Sequence, residues 1–391
     1  MKIATVLVGL AAACGGESSP SNSPDAASPD GPAGCARTPA AADRTRHVVV
    51  SHPYDAAGAK AGAYEVLELS AAGMLSRPGR TFEMGRATSG TIAFTPDGQV
   101  GLVATEDGKV GVVRLDDAGV PTVVHAGFAG SFYASRVVVE PRGDRALVLD
   151  GNWRENGGGI YRVTIGCDGT LTDVGMIAPA KLPSAIAFSG SGGEHAVVAA
   201  TDVMDSATVG HDVHLLGWGD APSVIAGSDA FGDDMQIVGG AALTADGATF
   251  LVGDTSQFAN VANRVAAVKV TATGVAKGDV VPVEDPAAIA ASPFGNVAIV
   301  ASAFGDAIYV LDVNNGAWRV RGQVAYMGAS PMLPSDVAPI DRGALRGHVL
   351  VSENVSVRHL AFRENGNVDD LGSFAFGSGL QNIAGAIGVT P

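Results

Sequence analysis

The side chains able to do chemistry are spread thinly along this chain. Asp202, Asp205, Asp233 and Asp234 carry the carboxylate oxygens that a hard cation such as Ca²⁺ collects, but no Asp-x-Asp-x-Asp-Gly loop surrounds them and they read as solvated loop acids. His211 and His214 fall three apart, which on a strand points them to opposite faces, so they make no ligand pair. The eight His are otherwise scattered. No His-Glu-x-x-His, Gly-x-Ser-x-Gly, phosphate loop, Gly-x-Gly-x-x-Gly or Cys-x-x-Cys-His is present. No metal and no cofactor is therefore expected. What remains is a set of Arg, Asp, aromatic and amide residues of the types binding surfaces use: Arg86, Tyr133, Arg136, Trp153, Arg154, Asp202, Asp233, Asp234, Asp306, Tyr326, Asp336, Gln381 and Asn382. Their worth depends on whether folding gathers them.

The elements that would gather them repeat. Pro286 to Gly316 holds three short apolar runs, Ala288–Ala291, Val297–Ala301 and Ala307–Val313, and an Asn314-Asn315-Gly316 turn leads to a fourth near Trp318–Gln323. Runs of this length, rich in Val, Ile and Ala and bounded by Gly, Pro and Asn, read as strands. First strands recur at Thr91–Phe94, Val137–Val139, Ala185–Phe188, Ala241–Leu243, Ala288–Ala290 and Asp336–Ala338. Their turn glycines, Gly98, Gly143, Gly192, Gly247, Gly295 and Gly343, lie 45 to 55 residues apart. Seven third strands, beginning near Tyr64, Val110, Ile160, Val213, Val265, Ile308 and Val357, each run into a glycine turn, at Gly73, Gly119, Gly169, Gly219, Gly274, Gly316 and Gly366.

The chain enters at His47–Val50, which reads as a second strand, so one first strand is missing at the start. Gln381 to Thr390 has the first-strand pattern and supplies it. Seven four-stranded units whose ends pair predict an all-β, seven-bladed β-propeller of antiparallel blades, closed by the C-terminal strand in the N-terminal blade. Closure removes the open sheet edges that a stack of blades would expose. In such a fold the second-to-third loops and the blade-to-blade segments share one face, around an axial funnel. That face would collect the candidate residues above, together with Tyr54, Asp55, Phe132, Asn152, Gln257, Asn263, Arg264 and Asn354.

The units, and Ile308-Tyr309-Val310-Leu311-Asp312-Val313-Asn314-Asn315-Gly316 above all, resemble the YVTN-type repeats of bacterial propellers, a group similar in fold to the lactonase-like seven-bladed proteins. The resemblance covers nearly all of residues 47–391 as a fold pattern. Lactone hydrolysis in those relatives rests on a set of Arg, Glu and His residues that does not map onto this chain residue by residue. The expected function is accordingly a binding or interaction scaffold presenting its funnel to a protein or small molecule. The alternative is a lactonase-like hydrolase working in the same funnel.

The remaining features concern cellular address. Met1-Lys2, the apolar Ile3–Ala13 and Cys14 have the parts of a secretory signal. Leu10-Ala11-Ala12-Ala13-Cys14 resembles a bacterial lipobox, although its Leu stands four rather than three residues before the Cys. An ordinary cleaved signal with an incidental Cys is the other reading. The expected layout is a signal at 1–13, a lipidated Cys14 and flexible tether at 14–45, and the propeller at 46–391. The Ser- and Pro-rich stretch 17–34 has almost nothing to bury. With Cys14 lipidated, Cys35 and Cys167 form an even pair and predict a disulfide, against two free thiols as the alternative. The expected location is the bacterial cell envelope, with membrane contact through the lipid alone, or else secretion. The net charge of −15 and pI near 4.8, with no Lys/Arg cluster, exclude nucleic acid as a partner. A monomer is expected.

Overall fold

The computed structural model describes residues 35–55, 57–151, 158–180, 182–189, 193–201, 212–232, 236–255, 263–303, 305, 307–314, 317–326, 336–376 and 385–391. They form seven four-stranded antiparallel sheets arranged as the blades of a propeller, with no helix among the described residues. Blade 1 contains β1 (Arg46–Tyr54), β2 (Lys60–Leu69) and β3 (Leu75–Glu83). Blade 2 follows as β4 (Ala93–Phe94), β5 (Val100–Ala104), β6 (Val110–Leu115) and β7 (Pro121–Phe128), and blade 3 as β8 (Ala134–Val139), β9 (Arg145–Asp150), β10 (Gly159–Ile165) and β11 (Leu171–Pro179). Blade 4 is β12 (Pro183–Ser189), β13 (His195–Ala200), β14 (Val213–Gly217) and β15 (Ser223–Ser228); blade 5 is β16 (Val238–Leu243), β17 (Thr249–Asp254), β18 (Arg264–Thr271) and β19 (Gly274–Pro282). Blade 6 is β20 (Pro286–Ala291), β21 (Val297–Ser302), β22 (Ala307–Asn314) and β23 (Ala317–Ala325). Blade 7 is β24 (Val337–Pro339), β25 (His348–Ser352), β26 (Ser356–Phe362) and β27 (Val368–Ala375), and β28 (Ile387–Val389) returns to blade 1.

Why these residues make this architecture is plain from where the apolar surface goes. The second and third strands are near-continuous apolar runs because both of their faces are covered. Among the described residues the core divides into seven clusters, and each spans two adjacent blades; one joins Val100, Leu102 and Val112 of blade 2 to Ala146, Val148 and Val163 of blade 3. No blade therefore owns a core of its own. The fourth strands face solvent on one side and carry Arg, Glu and Thr. Each pairs with its third strand through a register shift, such as that between Arg162 and Val163. Such bulges twist an outer edge and make it a poor template for a foreign strand.

Closure is built as the sequence predicts. In antiparallel register Val48 faces Val389, Val49 faces Gly388 and Val50 faces Ile387. His47 and Thr390 exchange bonds at 2.8 Å through both backbone N–H groups, one to a carbonyl and one to the Thr390 hydroxyl. Gly388 is required here, because a Cβ on it would lie 2.3 Å from the Ile92 carbonyl oxygen of blade 2.

From Cys35 to Thr45 the chain is a strap across the face opposite the funnel. Cys35 is disulfide-bonded to Cys167 in the β10–β11 turn, with Cα atoms 4.9 Å apart. Arg37 pairs with Asp97 at 2.8 Å and donates to the Gly166 carbonyl at 2.8 Å. Ala40 N–H donates to Pro96 O at 2.9 Å, and the Asp43 carboxylate accepts the Ala344 N–H at 2.7 Å. Buried Arg46 then donates to the carbonyls of Ala42, Arg342 and Thr390. The strap thus touches blades 3, 2, 7 and 1 in turn. Polar side chains at Arg37, Asp43 and Arg44 are what bind it to turns rich in exposed carbonyls.

Neighbouring blades are also clasped by arginines. Arg162 pairs with Glu140 at 2.7 Å and reaches the carbonyls of Gly219 and Asp220 in blade 4 at 2.9 and 3.0 Å. Arg358 pairs with Glu353 at 3.1 Å and donates to Ala325 O of blade 6 at 2.6 Å. Arg77 pairs with Glu65 at 2.5 Å and donates to Ala375 O of blade 7 at 2.6 Å.

Candidate functional site

The innermost strands converge on the axis, and their side chains decide whether it is filled or open. Here they are small: Ala185, Ala187, Gly240, Ala241, Ala288 and Ala290 all border a channel of about 500 Å³. Above it, toward the funnel face, lies a second cavity of about 280 Å³ bordered by Ser89, Thr255, Asp285 and Ala303. Arg136 and Asp336 line both, so they stand at the neck between them.

Local structure explains their placement. A register shift between Ala134 and Arg136 interrupts the pairing of β8 with β9, which re-aims the side chain at that position. Among the described residues the Arg136 guanidinium finds only a long bond to the Gly239 carbonyl, at 3.4 Å. Asp336 precedes β24 and is locked by its backbone, its N–H donating to the Ser352 hydroxyl at 2.9 Å. Its carboxyl accepts the Gly90 N–H. Burial pushes the Asp336 carboxyl up to about 6, against the opposing pull of the Arg136 charge and the Gly90 N–H.

Asp285 is a second acid with the same tendency. Burial raises its pKa, the Asn263 amide bonded to it at 2.7 Å opposes that, and Glu284 adds to it. Its φ of +38° puts a non-glycine residue in the left-handed region, where strain of about 1–3 kcal/mol is borne by the surrounding structure. Two carboxyls whose pKa burial raises, and a guanidinium with only that long bond among the described residues, bring acid–base groups and a cation to the two cavities. Sequence reasoning did not single out Asp285. The signal was its place directly before the first strand beginning at Pro286, as Asp336 stands directly before β24.

The other predicted residues go elsewhere. Arg86 pairs with Glu106, donates to Pro53 O at 2.7 Å and lies over the Tyr54 ring at 4.5 Å, tying the rims of blades 1 and 2. Tyr133 is exposed on the same rim, its hydroxyl donating to Glu106 O at 2.9 Å. Tyr326 belongs to the core between blades 6 and 7, with its hydroxyl donating to the Ser302 carbonyl at 2.7 Å. An aromatic ring at the end of a fourth strand finds more apolar surface between blades than in the funnel. Cys14, Asn152, Trp153, Arg154, Asp202, Asp205, His211, Asp233, Asp234, Gln257, Asp306, Gln381 and Asn382 lie outside the described residues. Among the described residues no three His, Cys, Asp or Glu side chains converge to hold a metal ion.

Neither a protein-family model nor a curated protein sequence matches this chain. Solved structures do. A Bacteroides fragilis protein provisionally named a 6-phosphogluconolactonase superposes with a TM-score of 0.60 at 11% identity, over 90% of this chain and 100% of that one. A Bacteroides uniformis protein with the same provisional name gives 0.51 at 14% identity, over 71% and 83%. A hypothetical selenium-binding protein from Sulfolobus tokodaii gives 0.60 at 9% identity, over 88% and 93%. The likeness is one of fold. Proteins of different kinds share this frame, so the activity must be argued from the neck itself.

Proposed function

We propose that this protein is an envelope-anchored binding propeller that takes a small molecule in its funnel, at the neck formed by Arg136 and Asp336. The observation that carries the reading is that both residues line both axial cavities, and that among the described residues Arg136 has no carboxylate fork while the blade-clasping arginines each hold one. A cation held at the junction of two cavities is a ready anchor for a polar group. Anchoring follows from the lipobox-like Leu10–Cys14, and the strap leaves the funnel on the face away from the point where the tether joins. Intact mass of the protein from its own host's membranes, with lipid on Cys14, tests the anchor. Binding that is lost in a folded Arg136→Ala protein tests the neck; retention of every ligand in that variant overturns it.

A second reading is favoured by one specific observation, the two acids of raised pKa in the upper cavity. In a lactonase-like hydrolase, ionised Asp336 would take a proton from water as it adds to the lactone carbonyl, Arg136 would stabilise the developing oxyanion, and ring opening would return the proton to the leaving alkoxide. The provisional names of the Bacteroides relatives agree with this class. The enzyme reading predicts hydrolysis of a simple lactone that rises through pH 6 and vanishes in both Asp336→Asn and Arg136→Ala. A binding propeller shows none.

A further inference from the structure

The channel below the neck is unlike the cavity above it. Its wall is largely aliphatic, lined by Ile186 and Ala187 of β12 and by Ala241 and Leu243 of the adjacent inner strand β16, all half-buried. Polar groups appear toward its far mouth, at Ser292 and Asp341. Apolar surface enclosed at this scale, in a space the size of an ordinary ligand pocket, is better satisfied by hydrocarbon than by water. At its upper end the chemistry changes abruptly to the Arg136 guanidinium, whose planar fork matches a carboxylate and which among the described residues has only the 3.4 Å bond to Gly239 O. Hydroxyls at Ser89 and Thr255 line the cavity beyond.

We propose that the axial channel holds the alkyl chain of a linear amphiphilic carboxylate, whose head is paired by Arg136 at the neck. This rests on the reading of the funnel as a small-molecule site and names the ligand class. The head meets the Arg136 cation and the Ser89 and Thr255 hydroxyls, with Asp336 and Asp285 on the same cavity wall, while the chain meets Ala, Ile and Leu; the order of the two along the axis fixes the orientation. Asp336, its carboxyl turned to the Gly90 N–H, lines the same neck and when ionised opposes a bound carboxylate, so the Arg136 charge must outweigh it.

The experiment is calorimetric titration of the full protein with butanoate, hexanoate, octanoate and decanoate below their micellar concentrations, with gluconate as a carboxylate that has no alkyl chain. Affinity is expected to rise about fourfold per methylene until the channel is full. Arg136→Gln should weaken octanoate at least about tenfold. Arg136→Lys, which keeps the charge without the fork, should weaken it less. Ala241→Leu, which narrows the channel, should penalise decanoate more than butanoate. The wild-type length series needs no variant to fold. A flat series overturns the proposal. Gluconate binding through Arg136 as tightly as octanoate overturns the alkyl chain while leaving the funnel a small-molecule site. Length dependence untouched by Arg136→Gln overturns the head assignment. The absence of any binding that depends on Arg136 removes both this proposal and the reading it rests on.

Discussion

Acids between the blades and acids at the axis are treated in opposite ways. Burial alone would raise Glu65, but His52 and Arg77 beside it outweigh burial and hold its carboxyl below the usual range. Glu106 on the rim is likewise held low, chiefly by Arg86. At the axis, burial is the largest influence on both Asp336 and Asp285 and raises both. The blade interfaces use charge to hold the ring together, while the neck keeps two acids in a costly state. Buried acids of raised pKa beside a cavity are what a binding or catalytic site uses, which is why the neck carries the proposal above.

Breaking a clasp should have the largest effect. Arg162→Ala removes a guanidinium that is bonded to Glu140 and to two carbonyls, leaving Glu140 buried without it. Urea denaturation is expected to give a loss of about 3–5 kcal/mol. Relieving the neck should work in the other direction. Asp336 has its folded pKa raised from 3.8 to about 6, so below the lower value both states hold the proton and nothing is lost. As pH rises through that window the unfolded chain releases its proton first, and above the window the native state is disfavoured by about 3 kcal/mol. Asp336→Asn should therefore stabilise the protein by up to that amount at pH 8 and hardly at all at pH 4, as read by melting at both.

A third change sharpens the contrast by deepening it. Removing the charge that pulls Asp336 down, as in Arg136→Ala, should move its titration above 6, measurable in the pH dependence of melting. The smallest effect belongs to the solvent-exposed pair Lys60–Glu106, 3.2 Å apart. Lys60→Ala should cost no more than about 1 kcal/mol in denaturation, and less in high salt.

How far this could be read in the sequence varied with burial. Third strands were legible almost to the residue; Val110–Leu115 is β6 as predicted. Such strands are covered on both faces, and their apolar runs stop where the turn glycines begin. Of the fourth strands only that near Trp318 was read, since a strand such as β3, Leu-Ser-Arg-Pro-Gly-Arg-Thr-Phe-Glu, is half exposed and bulged and has no apolar run to show. Turn positions shifted slightly as well: in blade 4 the residue at φ +70° is Gly193, whereas Gly192 lies outside the described residues. The repeat sets Arg136 and Asp336 at or just before the starts of first strands, which is how the sequence offered them as candidates. Asp285 stands likewise before β20, but the burial that raises its pKa does not show in the sequence. The channel was not legible either. An alanine announces nothing until several of them face one axis.

The strap has a mechanical consequence. β1 is joined to β28 by a short seam of three residue pairs, and a pull applied directly to β1 would peel that seam open. A pull on the chain upstream of Cys35 instead passes through the disulfide into the β10–β11 turn of blade 3. Tension and ring closure thus follow separate load paths. Force entering at Cys35 from its N-terminal side loads a covalent bond to blade 3, while the seam that completes the ring stays slack.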